Sequence, residues 1–402
     1  MVLTSLSLTN FRIFNRLEAE VPRRILLLVG ENAQGKTSFL EAIYYFATLN
    51  SFNATNDRQL INFAALKDEQ PVARLMAGYQ RADGTHRLEI RLILDAGMNG
   101  SGRLRKEILI DGVKRNQQDI DGKFISVIFL PQMMRILEGG PEERRRFLDN
   151  VLSQAFPGYA KANNEYATAI TQRNALLKQL AERGGDFEQL NYWDEMIVSR
   201  GALIIHSRIR AIQEMEKLAA FEHMKLTNEK ESLSLIYQPA YDPYPNSQNQ
   251  MKLNIASPLK RSEIPLEEIK TGFARKLKEI RKEEIVRGVT SIGPHRDELR
   301  GVSNGIDLGI YGSRGQIRSA IISLKLAEVK WLKETTNEWP VLLLDETLAE
   351  LDHQHRMDLM KKLLDCEQVI LTTTDKNLFS DAFTKNCAIW NVKAGRIAPE
   401  LN

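Results

Sequence analysis

The apolar positions already outline the chain. Val2 to Leu8 is a short run of apolar and polar residues that predicts a strand. Ile25-Leu26-Leu27-Leu28-Val29 is apolar without a break, the pattern of a strand buried on both faces of a mostly parallel sheet. It ends at Gly30, and a helical pattern takes over near Lys36. Residues 71–130 are rich in strand patterns, with Asp83-Gly84 and Asp111-Gly112 as turn signals. From about Pro157 the period lengthens. Residues 158–183 and 187–226 read as long helices broken by Gly184-Gly185, with Leu190, Trp193, Ile197, Ile204 and Ile212 at roughly helical spacing. Their reach is ~40–60 Å, that of a hairpin or compact helical lobe rather than a coiled-coil rod. The stretch 239–265 holds five of the 13 prolines and reads as a surface loop or insertion. A charged helix over about 265–287 follows, then a helix over about 315–335 and strands at 341–345 and 368–373. The class is α/β, with helices inserted into it.

Composition narrows the class only slightly. Of 402 residues, 43% are hydrophobic and 27% charged, ordinary values for a chain that builds a core and is not disordered throughout. Lys and Arg total 55 against 52 Asp and Glu, so any basic surface must be a local patch. The two cysteines, Cys366 and Cys387, have no metal-binding spacing. The N-terminus lacks a signal-peptide pattern, and no apolar run approaches the ~18 residues of a membrane span. A cytoplasmic location is expected.

Three motifs carry chemistry. Gly30-Glu31-Asn32-Ala33-Gln34-Gly35-Lys36-Thr37 matches GxxxxGK[ST] between a buried strand and a helix. Glycines let the backbone approach phosphate closely, loop N–H groups and the helix N-terminus face the anion, Lys36 adds charge, and the Thr37 hydroxyl ligates Mg²⁺. Val341-Leu342-Leu343-Leu344-Asp345-Glu346 is an apolar strand ending in two acids. Asp345 suits the Mg²⁺ shell, and Glu346 suits a group that orients or deprotonates attacking water. Tyr311-Gly312-Ser313-Arg314-Gly315-Gln316 opens a helix and offers a second anion site, although Ser-x-Gly-Gln is equally an ordinary helix cap. Its place about 30 residues before the acidic strand follows the order of ABC-type ATPases: signature helix, Walker B, D-loop. Leu348 to Asp352 fills the D-loop place.

The chain resembles the RecF family, ABC-type ATPases of bacterial recombinational DNA repair. The resemblance runs through LSLTNFRIF near the start, GENAQGKTSFLEAIYYFA at the phosphate loop and FLPQMMRILEGGPEERRRFLDNVLSQ at 129–154. It continues in SIGPHRDEL at 291–299, YGSRGQIRSAIISLKLAE at 311–328, LLLDETLAELD at 342–352 and ILTTTD at 370–375. It implies an ABC-type P-loop ATPase head, a mixed sheet with helices, formed by residues 1–155 and 286–402 around a helical lobe at 156–285. It implies ATP and Mg²⁺ as cofactors, slow hydrolysis used as a switch, and an ATP-sandwiched homodimer in which Ser313, Arg314, Gly315 and Gln316 face the nucleotide of the other copy. Gln132 would take the Q-loop place, Asp352 the D-loop, and Thr374 the switch region, where the ABC histidine is absent. The resemblance also implies binding to gap junctions of single- and double-stranded DNA, a RecR partner, RecO and RecA in the pathway, and a part in the SOS response.

Basic clusters give partly independent support for DNA. Arg144-Arg145-Arg146 open a helix, and Lys270, Arg275, Lys276, Lys278, Arg281, Lys282 and Arg287 crowd another; Arg144, Arg145, Lys276 and Arg281 are the named DNA candidates. The same residues also fit a solvated helix face or structural partners of acids. His295 fits a packed side chain better than a catalytic one, and Arg296 and Asp297 fit an internal ion pair or a D-loop contact. An SMC-like organiser needs arms of hundreds of residues. A transporter subunit places its signature within about a hundred residues of the phosphate loop, whereas Ser313 stands 276 residues after Thr37.

Overall fold

The computed structural model describes residues 1–95, 102–243 and 261–400. They fall into two compact units: residues 1–133 with 328–402, and residues 134–327. The change of texture along the sequence places divisions at 155 and 285 instead. The difference arises because helix Pro141–Ala155 packs on helices Tyr159–Arg183 and Leu190–Leu226 and on strand Glu298–Ser303. Neither its pattern nor that of the residues just after 285 reveals those partners. Most of the proline-rich stretch 239–265 lies outside the described residues.

The first unit holds two six-stranded sheets. One is antiparallel, in the order Phe14–Glu20, Val2–Phe11, Val72–Arg81, Gly84–Asp95, Arg103–Ile110, Val113–Arg115. Its last hairpin turns at Asp111-Gly112, both at positive φ (51° and 80°), as a two-residue hairpin loop requires. The earlier hairpin turns one residue before the expected place, at Ala82-Asp83, and Gly84 opens the next strand. The second sheet is parallel across Cys387–Lys393, Arg24–Val29, Gln368–Thr373, Val341–Asp345 and Ser126–Phe129, with Arg396–Pro399 antiparallel at its edge. The uninterrupted apolar runs lie here: Ile25 to Leu28 and Val341 to Leu344 are buried. Helix Lys36–Thr48 packs against strands of both sheets. Phe39 to Ala47 are all buried, so it is a core helix with no solvent face.

The second unit is mainly helical. Tyr159–Arg183 and Leu190–Leu226 have 25 and 37 residues, about 38 and 56 Å at the α-helical rise. Helix Leu266–Arg287 packs on both, and a small sheet orders Ile306–Asp307, Glu298–Ser303 and Leu233–Gln238. The interior of this unit is polar at two points. Arg173 is fully buried and donates to Asp194 Oδ1 (2.6 Å), Glu284 Oε2 (2.6 Å) and Thr290 Oγ1 (2.8 Å). Arg208 donates to Asp149 Oδ1 (2.8 Å), Asp297 Oδ2 (3.0 Å) and the carbonyl of Pro294 (2.6 Å). Charges so far from water persist only when paired and hydrogen-bonded.

Replacing Arg173 by Met should therefore leave Glu284 as a buried carboxylate without its cation. The expected loss is about 3–5 kcal/mol of stability, read by chemical denaturation. Lys276→Met, which removes an exposed partner of Glu279, should change stability by no more than about 0.5 kcal/mol.

Candidate nucleotide-binding site

The carboxyl ends of the parallel strands form the site. Strand Arg24–Val29 leads into the loop Gly30–Thr37, and Val341–Asp345 and Gln368–Thr373 end beside it. Backbone constraints explain the loop's glycines. A Cβ on Gly30 would lie 2.4 Å from the carbonyl oxygen of Val392, and Gly35 has φ 114°, with a Cβ there 2.9 Å from Ile13 Cγ2. Gln34 anchors the loop. Its side-chain oxygen accepts from the Ala394 N–H (2.6 Å) and its carbonyl from the Gly395 N–H (3.0 Å). Glu31, Asn32 and Ala33 are exposed along the crest. The first turn of helix Lys36–Thr48 carries no acid and its N-cap Gly35 no side-chain cap, which leaves those N–H groups to an anion.

Lys36 is 3% exposed. Its ammonium donates to the carbonyls of Gly30 (2.7 Å) and Glu31 (2.9 Å) and lies 3.1 Å from Glu346 Oε1. Asp345 is buried too. The Thr37 hydroxyl lies 2.9 Å from its Oδ2, and the Thr372 hydroxyl donates to its Oδ1 at 2.7 Å. Burial raises the Asp345 carboxyl above the usual carboxylate range; the two hydroxyls pull it back, and neighbouring Glu346 adds to the rise. Glu346 has φ 48°, uncommon for a residue with a side chain, and its N–H donates to the Thr372 hydroxyl at 3.0 Å. Thr372 thus holds both acids at once. Thr37 and Asp345 offer hydroxyl and carboxylate oxygens side by side, a donor set suited to Mg²⁺, which takes one or two protein carboxylates together with substrate phosphates. No cluster of three or more metal-binding side chains occurs among the described residues.

Gln132 is exposed in the short turn Pro131–Met134, just past strand Ser126–Phe129. Thr374 is exposed just past strand Gln368–Thr373. Asp352 caps helix His353–Leu363 by accepting from the His355 N–H at 3.0 Å. Ser313, Arg314, Gly315 and Gln316 belong to the other unit. Ser313 Oγ accepts from the Gln316 N–H (3.3 Å), and Gln316 Oε1 accepts from the Ser313 N–H (3.1 Å), a reciprocal cap on helix Arg314–Thr336. Ser313, Arg314 and Gly315 are exposed.

The RecF/RecN/SMC N terminal domain family matches residues 2–398. The DNA replication and repair protein RecF of Thermomicrobium roseum is 35% identical over 406 residues, covering 99% of this chain and all of that protein. RecF of Synechococcus sp. (strain JA-2-3B'a(2-13)) is also 35% identical, covering 99% of this chain and 98% of its own. The chain belongs to the RecF family. Its fold agrees with a solved RecF-family structure, the recombination mediator protein RecF-ATP of the RecFOR pathway, at TM-score 0.81 and 28% identity, covering 100% of this chain and 98% of that one. The Smc head domain of Pyrococcus furiosus shares the fold at TM-score 0.51 and 17% identity.

The remaining residues singled out in the sequence lie in the second compact unit, residues 134–327. Arg144 is buried; it donates to both oxygens of Glu298 (2.6 and 2.8 Å) and to the carbonyls of Leu137 and Gly139. Arg145 donates to the Asp297 carbonyl (2.9 Å), and Arg281 is held by Asp194 and Asn191. Arg144 and Arg281 are thus committed to internal carboxylates and not presented to phosphate. Lys276 is exposed but paired with Glu279. His295 is wedged between the Tyr166 hydroxyl (2.7 Å) and the Thr290 carbonyl (3.2 Å), and burial pulls it down to about 4. Asp297 pairs with Arg208, not with adjacent Arg296, which is exposed.

Thr372 lies in the ILTTTD run at 370–375, but the sequence assigns it no role. A threonine near the end of a buried strand carries no signal until the strand beside it is known. Thr372→Val keeps the shape and removes the hydroxyl. The expected result is a loss of about 1–3 kcal/mol of stability by thermal or chemical denaturation, since the Glu346 N–H loses its acceptor. ATP affinity measured by calorimetry should weaken as well. Unchanged values for both would remove Thr372 from its positioning role.

Proposed function

We propose that this chain is an ATP-switched DNA-binding protein of recombinational repair, working as a pair of copies. The observation that carries the reading is the withdrawn Lys36 ammonium, held by two loop carbonyls and Glu346 beside the Thr37–Asp345 pair. Likeness along the whole chain to a RecF solved as RecF-ATP supports it. Bound Mg²⁺–ATP would supply the phosphate anion and the bond to be broken. Lys36 and the N–H groups of the loop would hold the phosphates, with Thr37 and Asp345 on the metal. Lys36 would exchange Glu346 for phosphate, freeing that carboxylate to orient a water molecule and take its proton. The Ser313 hydroxyl accepts from its own helix and so keeps its hydrogen for an anion. Beside it, the Arg314 and Gly315 N–H groups open the helix, and together they would face the nucleotide of a second copy, joining the two.

DNA binding fits helix Leu266–Arg287 better than the arginines committed to internal carboxylates. Arg275, Lys278 and Lys282 recur on one exposed stripe and make no ion pair among the described residues. Two such stripes in a closed pair would act together on backbone phosphates without reading bases. Gap junctions as target, RecR as partner, RecA loading with RecO in the pathway, and a part in the SOS response belong to this proposal through the family. The helices of 25 and 37 residues are far short of the arms an SMC-like organiser needs.

Glu346→Gln should retain ATP binding, accumulate the closed pair and lower turnover by about 10²–10⁴-fold. Undiminished hydrolysis would show that Glu346 is not the catalytic carboxylate. A titration of gapped duplex DNA at several salt concentrations tests the function as a whole. With an ATP analogue, affinity should exceed that of the nucleotide-free protein and fall steeply with salt. Equal affinity in both nucleotide states would defeat the switch, and no binding at low salt would defeat the DNA reading.

A further inference from the structure

Gln316 has a second partner besides its cap. Its carboxamide oxygen accepts from the Ser313 N–H at 3.1 Å, and its Nε2 donates to Glu231 Oε1 at 3.3 Å. Glu231 follows helix Leu190–Leu226, with its own N–H donating to Thr227 Oγ1 at 3.3 Å. Its other oxygen, Oε2, accepts from the Ser303 hydroxyl at 3.4 Å and lies 3.3 Å from Nε2 of fully buried His223. The far side of that imidazole, Nδ1, is 3.2 Å from Ser323 Oγ, two turns along the Gln316 helix. A carboxylate can only accept, whereas a carboxamide can turn either end outward. Glu231 therefore dictates which end of Gln316 faces it: the NH₂ group goes to Glu231, and the oxygen is left for the Ser313 N–H. With the opposite orientation, two donors would meet at Ser313 and the cap would be lost.

We infer that Glu231, held by His223 and Ser303, is a positioning residue for the signature loop, setting the Gln316 carboxamide so that Ser313 points its hydroxyl hydrogen toward an anion. This rests on the reading of Ser313–Gln316 as the group that meets a second copy's nucleotide. No motif marks Glu231, which lies 85 residues before Gln316.

A polarity swap tests it, with ATP-analogue-driven pairing of copies followed by sedimentation and folding checked by thermal denaturation. Gln316→Glu alone sets two carboxylates against each other and should weaken pairing roughly tenfold or more, the loss of one charge-assisted hydrogen bond. The double variant Glu231→Gln/Gln316→Glu restores a donor facing an acceptor while still capping Ser313, and should return pairing to near the wild-type level. Normal pairing by Gln316→Glu, or a double variant no better than Gln316→Glu, would overturn the role of Glu231. Ser313→Arg fills the signature face directly and separates the two ideas. If it abolishes pairing while Gln316→Glu pairs normally, only the Glu231 inference falls. If Ser313→Arg pairs like the wild type, the signature reading itself falls, and the inference with it.

Discussion

A lysine ammonium drawn almost wholly out of water is the constraint around which the ATPase head is arranged. Lys36 has three N–H donors and meets three acceptors: the carbonyls of Gly30 and Glu31, and Glu346. An unpaired buried charge would cost several kcal/mol, so loop, helix start and acidic strand end must arrive together. That requires Gly30 to pass within contact of Val392, Gly35 to take a left-handed backbone, and Glu346 to accept positive φ. It also requires a helix whose whole circumference is buried, because Lys36 opens the helix clamped by both sheets. Strain at Glu346 is compensated locally by Thr372, which accepts from its N–H and donates to Asp345.

On the function proposed, phosphate replaces one partner of that cation. The ion pair between Lys36 and Glu346 then acts as a latch: while the anion is absent, the carboxylate suited to handling water is tied to the lysine. Asp345, pushed up by burial, would be stabilised as a carboxylate by a metal cation held there. Ser313 needs no comparable rearrangement, because its cap with Gln316 already sets its oxygen.

How much of this could be read from the sequence depended on how local each cause is. The phosphate loop and the acidic strand end were legible, since glycine conformations and a buried strand ending in acids leave their mark over a few consecutive residues. The long helices were legible by period, and the Asp111-Gly112 turn by its residue pair. Thr372, Arg173 and Glu231 were not. Their partners lie 27, 111 and 85 residues away, and nothing nearby distinguishes them from an ordinary threonine, arginine or glutamate. Arg144 shows the same limit from the other side. A run of three arginines fits DNA contact and structural pairing with acids alike, and only Glu298, 154 residues on, decides for pairing in the first of them. The extent of the second compact unit, 134–327, was not legible, because helix Pro141–Ala155 declares its apolar face but not the elements that cover it.

The most direct measurement is sedimentation of wild-type and Lys36→Ala protein with Mg²⁺ and a non-hydrolysable ATP analogue. If phosphate takes over the buried ammonium and thereby joins two copies, the wild type shifts from one copy to two, and Lys36→Ala stays at one at every analogue concentration. A Lys36→Ala protein that pairs like the wild type would contradict the role given to that cation, and with it the ATP switch.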